Sequence, residues 1–470
     1  MKLLKYIGPF LRINTLNTKN IENQLFHLSK ETLKNIVLNS KCGVTVPISE
    51  LKMKNIPNID INILSSFSPL LCIYKKATPK LIDSEKSICW DEDTFKQEVN
   101  VWSNGLMTLS LLELVPYYKS FEGVDAKKYT LSQLYLTLAR KQLEFYASYL
   151  RNIEGVFVDK KNISTTLSND LEFEEKNKKF KFSDQAIIMA SFYRYSCFDP
   201  EKYGPDYKNF SFDILNMFLQ YREELYTLPQ DELNKICLCL NIFYKHSKSE
   251  EAKILLVDIS EFLLDNCIEN NCLILGSNVE NNCFMFLNHM LLYENTDIYK
   301  FKDSAKEIYN SLLKLYSPEL GIFVKENNKK EINYSCTDIM LYLLSIMHHQ
   351  KNFDDNLEDN SIILDVYRRQ VMDSGIITSW PSSPDLDDVE RYKNFSSKSE
   401  DLLDEQNFRM ATIPTPEANE LSSIFMKNVT YNRKKEIFSS GKPTFDSSKN
   451  MLIFFLVLYL KNSLWIENPD

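Results

Sequence analysis

Residues 130–157 read TLSQLYLTLARKQLEFYASYLRNIEGVF, and this stretch decides the fold. Apolar side chains fall at helical spacing over 130–149 with polar ones between them, which predicts an amphipathic helix. The chain then runs into Gly155-Val156-Phe157. A glycine just past a helix reads as a left-handed cap, and the apolar pair after it as a short extended strand. The same ending follows three more predicted helices: 20–39 runs into Gly43-Val44, 302–316 into Gly321-Ile322-Phe323, and 361–372 into Gly375-Ile376-Ile377. Gly155 and Gly321 stand three intervals of about 55 residues apart, and Gly375 lies one such interval further on. Helices predicted over 212–225 and 253–267 keep the period without the full mark, the second being followed by Leu273-Ile274-Leu275-Gly276.

A second set of segments alternates with these and is apolar on nearly every face: 101–117, 184–198, 231–244, 281–293, 334–347 and 447–464. Such helices are surrounded by protein. Six amphipathic helices alternating with six buried ones predict an all-α double ring, an (α/α)6 toroid or six-hairpin barrel, with short β-hairpin excursions and one domain over 1–470. A closed ring fits better than an open solenoid, because no terminal repeat shows the polar outer face of a cap. Two insertions break the period, at about 44–100 and 378–445. The second is rich in Ser, Asp, Glu and Pro and holds the islands Trp380-Pro381 and Phe408-Arg409-Met410. Both are expected to emerge on the face where the inner helices begin.

Composition excludes several functions. With 10 glycines in 470 residues and no GxGxxG or GxxxxGK[ST] pattern, a glycine-rich phosphate loop is not expected. A net charge of -9 gives no general attraction to nucleic acid or to an anionic membrane surface, so neither is an expected partner. The N-terminal apolar stretch is interrupted by Lys5, Gly8, Pro9 and Arg12, which argues against a secretory segment and for a cytoplasmic protein. Most cysteines, among them Cys197, Cys237, Cys239, Cys267, Cys283 and Cys336, fall inside helical segments, as reduced thiols do. Cys237-Leu238-Cys239 and His348-His349 point to different helix faces, so no metal site and no cofactor are expected.

The candidate chemistry lies where the buried helices begin. Asp184, Glu280, Asp338 and Asp446 each stand at such a start. Carboxylates gathered at the mouth of a low-dielectric cavity suit general acid and base work, whereas a single one simply favours a helix N-terminus. We take Asp184, Asp338 and Asp446 as candidate catalytic groups. Trp102 and Asn104 in the first buried helix, Glu280, and Trp380 and Arg409 in the second insertion are the candidate substrate contacts.

With those residues in place, the layout resembles the six-hairpin toroids of carbohydrate-active enzymes, such as the unsaturated glucuronyl and rhamnogalacturonyl hydrolases. Residues 102–114 (WSNGLMTLSLLEL) resemble their W-x-x-G opening helix, Asp184-Gln185-Ala186 an aspartate that starts an inner helix, and 334–344 (YSCTDIMLYLL) a small-polar-then-apolar helix. The resemblance implies a carbohydrate or other small-molecule ligand, Asp184 as general acid or base, and Trp102 and Asp338 as substrate contacts. Sugar epimerases, polysaccharide lyases and cyclases share the layout, but the aspartate-rich boxes and zinc-binding Cys/His sets of cyclases are missing from this sequence. The competing reading is a non-catalytic toroid that binds a ligand or protein through the ring mouth or the second insertion.

Overall fold

A computed structural model of the chain describes residues 16–53, 56–84, 87–164, 170–176, 180–269, 278–325, 329–353, 357–392, 404–410, 413–417 and 420–462. The apolar run ending at Gly276 lies outside these. The helices are α1 (Thr18–Asn39), α2 (Val101–Lys119), α3 (Ala126–Tyr149), α4 (Phe182–Ser196), α5 (Gly204–Gln220), the single turn α6 (Arg222–Leu225), α7 (Gln230–Ser247), α8 (Glu250–Glu269), α9 (Val279–Thr296), α10 (Tyr299–Leu313), α11 (Cys336–Asn352), α12 (Leu357–Val366) and α13 (Ser447–Asn462). Among the described residues, no helix is long and apolar enough to cross a membrane.

The helices apolar on every side form the inner wall. α2, α4, α7, α9 and α11 each pack on the next, α11 packs on α13, and α13 returns to α2, so six helices close a ring. Around it, α3, α5, α8, α10 and α12 pack on α2, α4, α7, α9 and α11, and α1 packs on α13. The chain is therefore an (α/α)6 toroid. Five hairpins run from inner to outer helix, and the sixth pair is made by the two ends of the chain. Every residue of α4 is buried, as is α2 from Val101 to Val115. Burial of each Leu, Ile or Phe on these faces is worth about 1.5–3 kcal/mol, which is what drives the inner helices together.

The glycine mark has two physical causes. Gly155, Gly321 and Gly375 have φ of +85°, +62° and +74°, the left-handed region that side chains with a Cβ resist. Gly43 is different: a Cβ there would lie 1.8 Å from the Cys72 carbonyl oxygen, and the left-handed residue of that turn is Lys41. The residues after each mark pair antiparallel: Gly43–Thr45 with Leu70–Ile73, Phe157 with Arg151, Ile322–Phe323 with Tyr316–Ser317, and Ile377 with Phe425.

Side-chain amides fix these strands to the ring. Asn104 Oδ1 accepts from Ile73 N at 2.8 Å while its Nδ2 donates to Ile73 O at 3.2 Å. Gln185 does the same for Phe157 at 3.0 and 2.8 Å, and Asn450 for Phe425 at 2.9 Å in both directions. All three amides sit at the fourth residue of an inner helix, and each nitrogen also donates to the carbonyl just before that helix, on Asn100, Lys181 and Asp446. A further set of amides stitches α7 to α9, where Asn288 Nδ2 donates to Asn234 O at 2.8 Å and Asn241 Nδ2 to Asn288 O at 3.2 Å.

The insertions do not both stay at the expected face. They meet there, where Phe445–Asp446 pairs with Lys76–Ala77, and the hairpin Asn428–Asn432/Ile437–Ser440 joins Glu331–Ser335 ahead of α11. Described parts of the second insertion, around Ser382, Glu390 and Asn407, form a belt over α1. Asn23 donates to Asn407 Oδ1 at 2.9 Å, Gln24 to Gln406 O at 2.7 Å, and His27 contacts Ser382 O at 3.0 Å. Lys30, 1% exposed, is ion-paired with Glu390, which also pairs with Lys128 at 2.9 Å. The polar face that the sequence gives α1 is thus covered by protein rather than by water.

Replacing Asn450 by Leu leaves the N–H and C=O of Phe425 buried without partners, and each such group costs about 1–3 kcal/mol. The variant should lose about 3 kcal/mol in denaturant unfolding. A loss below about 1 kcal/mol would show that the amide is dispensable.

Candidate functional site

A cavity of about 650 Å³ opens at the end of the ring where the inner helices start. All six inner helices reach it: α2 through Trp102, α4 through Phe182, Ser183 and Asp184, α7 through Asp231, Glu232 and Lys235, α9 through Glu280, α11 through Thr337, and α13 through Ser448, Lys449 and Leu452. Lys75, Asn100, Phe180, Lys181, Leu228, Pro229 and Asp446 come from the connections. The geometry follows from the ring, because every inner helix points its positive N-terminal end the same way. Near the other end, the buried pair Arg194 Nε to Glu113 Oε1, at 2.9 Å, joins α4 to α2.

Asp184 is the unusual group. It is 1% exposed, and among the described residues neither carboxylate oxygen has a hydrogen-bond partner. Lys181 Nζ stands 3.4 Å from its Oδ2 but directs its hydrogen bond to Asp159 Oδ2 at 2.9 Å. Asp159 is held in turn by the Val101 N–H and the Asn100 amide, both at 3.0 Å. Burial above all, then the negative charge of Asp159, and also that of Glu232, push the Asp184 carboxyl up to about 7 against the pull of Lys181. Glu232 is kept beside it by accepting the Ser183 N–H at 2.9 Å.

The other cavity groups are more fully engaged. Glu280 Oε2 accepts from Thr337 Oγ1 at 2.7 Å, and Lys449 donates to the same hydroxyl at 2.9 Å. Asp446 is buried at the start of α13, with Oδ1 3.4 Å from Lys449 N. The Trp102 ring has Lys235 Nζ 5.9 Å from its centroid and is 8% exposed. Phe180 is the open aromatic surface of the cavity, 38% exposed and packed edge-on against Phe182.

Of the eight candidate residues, Trp102, Asp184, Glu280 and Asp446 line one cavity and four lie elsewhere. Asn104 is one of the strand-holding amides. Asp338 caps α11, exchanging bonds with Ser335 and pairing with Lys325 at 2.7 Å. Trp380 stands in a separate cleft with its indole N–H bonded to Phe408 O at 2.9 Å. Arg409 is exposed and pairs with Glu405 at 2.7 Å. Glu232, Lys181 and Phe180 were not singled out in the sequence. Glu232 could have been found, since Pro229 followed by an acidic first turn is the same kind of helix start as that at Asp184. Among the described residues, no group of three or more His, Cys, Asp or Glu is placed to hold a metal.

No protein-family model matches the chain, and no curated protein matches its sequence. Among solved structures, it is similar to an alpha-mannanase from Bacteroides thetaiotaomicron at 11% identity, over 96% of this chain and 99% of that one, with a TM-score of 0.48. It is also similar to cellobiose 2-epimerase from Bacillus thermoamylovorans, at 7% identity over 82% and 92% of the two chains and a TM-score of 0.47. An unsaturated glucuronyl hydrolase specific for heparin matches at 8% identity, over 95% and 98%, with a TM-score of 0.43. The assignment of this chain to the (α/α)6 toroid fold rests on its own ring of six inner helices, closed between α13 and α2.

Proposed function

We propose that the protein is a carbohydrate-active enzyme in which Asp184 transfers a proton at a sugar oxygen inside the axial cavity. The observation that carries this reading is a buried carboxyl with no hydrogen-bond partner, placed on the wall of a cavity large enough for a small ligand. A carboxyl poised near neutrality can hold a proton for an oxygen and give it up in the same pH range. In the hydrolytic version, protonated Asp184 donates to the leaving glycosidic oxygen, and a second carboxylate acts on the anomeric centre directly or through water. Of the other carboxylates on the cavity, we assign that second role to Glu232, whose charge acts on Asp184, or to Asp446. Phe180 and the edge of Trp102 offer apolar surface to the C–H face of a sugar ring.

The test is turnover of a panel of neutral and acidic oligosaccharides, followed by released or rearranged sugar. Asp184→Asn should lower kcat by about 10²–10⁴ with KM little changed, as loss of a proton-transfer group does. Asp446→Asn in the same assay asks whether it is the second group. A folded Asp184→Asn protein that turns over as fast as the wild type sinks the acid role, and sugar bound without turnover by both proteins favours the non-catalytic reading.

Stability gives an independent check on the same carboxyl. Its ordinary value is 3.8 and its native value about 7, so between these the native state binds more protons than the unfolded chain. Stability therefore falls as pH rises through that window. Asp184→Asn should raise Tm relative to the wild type above pH 7 and lose the advantage below pH 4, and a difference in Tm that does not change with pH would contradict the raised value.

A further inference from the structure

A second cleft, of about 380 Å³, lies outside the ring where the C-terminal half of α1 meets both insertions. It holds Trp90 and Trp380, two of the chain's four tryptophans, and the axial cavity makes no use of either. The backbone groups around it are already paired: Leu81 N with Glu420 O at 2.7 Å, Ser422 N with Pro79 O at 2.8 Å, and Trp90 N with Ser40 O at 3.1 Å. Leu81, Trp90 and Ser422 thus offer a peptide no free N–H along these segments, and recognition falls to side chains.

Those side chains have a definite character. Ser422 is 5% exposed, and its hydroxyl has no hydrogen-bond partner among the described residues. The hydroxyl of Ser382 and the amide nitrogen of Asn35 are likewise unclaimed. Glu31 brings a carboxylate, with Lys30 at 2.9 Å and Lys34 at 2.5 Å both bound to it, so the cleft has no unpaired cation with which to attract an anion. The indole of Trp380 is fixed by its bond to Phe408, and that of Trp90 by edge-on packing on Phe445 at 5.0 Å; both residues are buried, so they reach the cleft only at their edges, beside the half-buried Leu81 and Pro381. Unclaimed hydroxyl and amide donors beside this narrow apolar wall, with no free charge, match a molecule that has hydroxyl edges and an apolar C–H face.

We propose that this cleft is a binding site for a neutral saccharide, separate from the axial cavity and independent of whether that cavity is catalytic. The full chain labelled with fluorotryptophan tests it by fluorine NMR, with resonances assigned through single Trp→Phe variants. Glucose, mannose, galactose, cellobiose and mannobiose are the probes, titrated into the millimolar range. At least one should shift the Trp380 or Trp90 signal saturably, whatever happens at Trp102. The double variant Asn35→Leu, Ser422→Ala removes two donors at little change in volume and should abolish that shift while leaving any Trp102 response intact. The proposal is overturned if no probe moves the Trp90 and Trp380 signals of the wild-type protein, a result that stands even where the variant fails to fold. Persistence of the shift in a folded double variant overturns it equally. A shift confined to Trp102 would support sugar binding in the ring and refute it in the cleft.

Discussion

A carboxamide at the fourth residue of an inner helix, bonded to both backbone groups of one residue in the neighbouring strand, is the interaction on which the ring depends. The links that lead into α2, α4, α11 and α13 carry extended segments into the crowded centre, where a backbone N–H or C=O cannot reach water. Asn104, Gln185 and Asn450 satisfy those groups on Ile73, Phe157 and Phe425. The same nitrogens reach back to the carbonyls of Asn100, Lys181 and Asp446. All three of these residues line the axial cavity. One amide thus fixes a strand, a helix start and a cavity wall together, and a requirement of backbone pairing becomes a means of placing functional groups.

That rigidity explains the state of Asp184. It stands beside Gln185, whose amide is engaged on both sides, in a helix with no exposed residue. The carboxyl cannot swing toward a donor, and the one cation within reach is already committed to Asp159. A surface aspartate in the same first turn would relax into water and favour the helix dipole. Here the fold maintains an unfavourable burial that makes the native state less stable at neutral pH, as the role proposed for Asp184 requires.

The sequence made the ring legible because the ring is periodic. Two helix types, a recurring glycine and an interval near 55 residues survive in the order of residues, and they locate twelve helices of the toroid. The strand-holding amides were not legible. Asn104 looked like a substrate contact since a polar residue beside a tryptophan reads the same way whether it faces a ligand or a strand from another part of the chain. Asp338 failed for a related reason: an acidic residue early in a helix serves equally as a cap, and only the position of Lys325 and Ser335 decides. The belt over α1 was hidden because its partners are far apart in sequence. Gln24, His27 and Lys30 give α1 an ordinary polar face until Asn407, Ser382 and Glu390 are brought against them.

The two ends of the ring differ in a way that locates function by exception. Among the described residues, the buried carboxylates other than Asp184 have a cation or a hydrogen-bond donor: Glu113 has Arg194, Glu390 has Lys30 and Lys128, Asp338 has Lys325, and Asp359 has His349. Burying such a pair gains little over an apolar one, but leaving one member alone is costly. A fold that pairs its buried charges this consistently has the means to pair Asp184 as well. It instead gives that carboxyl only the Lys181 ammonium at 3.4 Å, shared with Asp159, at the end of the ring where the N-termini of all six inner helices face a cavity. On the function proposed above, the ligand rather than the protein completes this group.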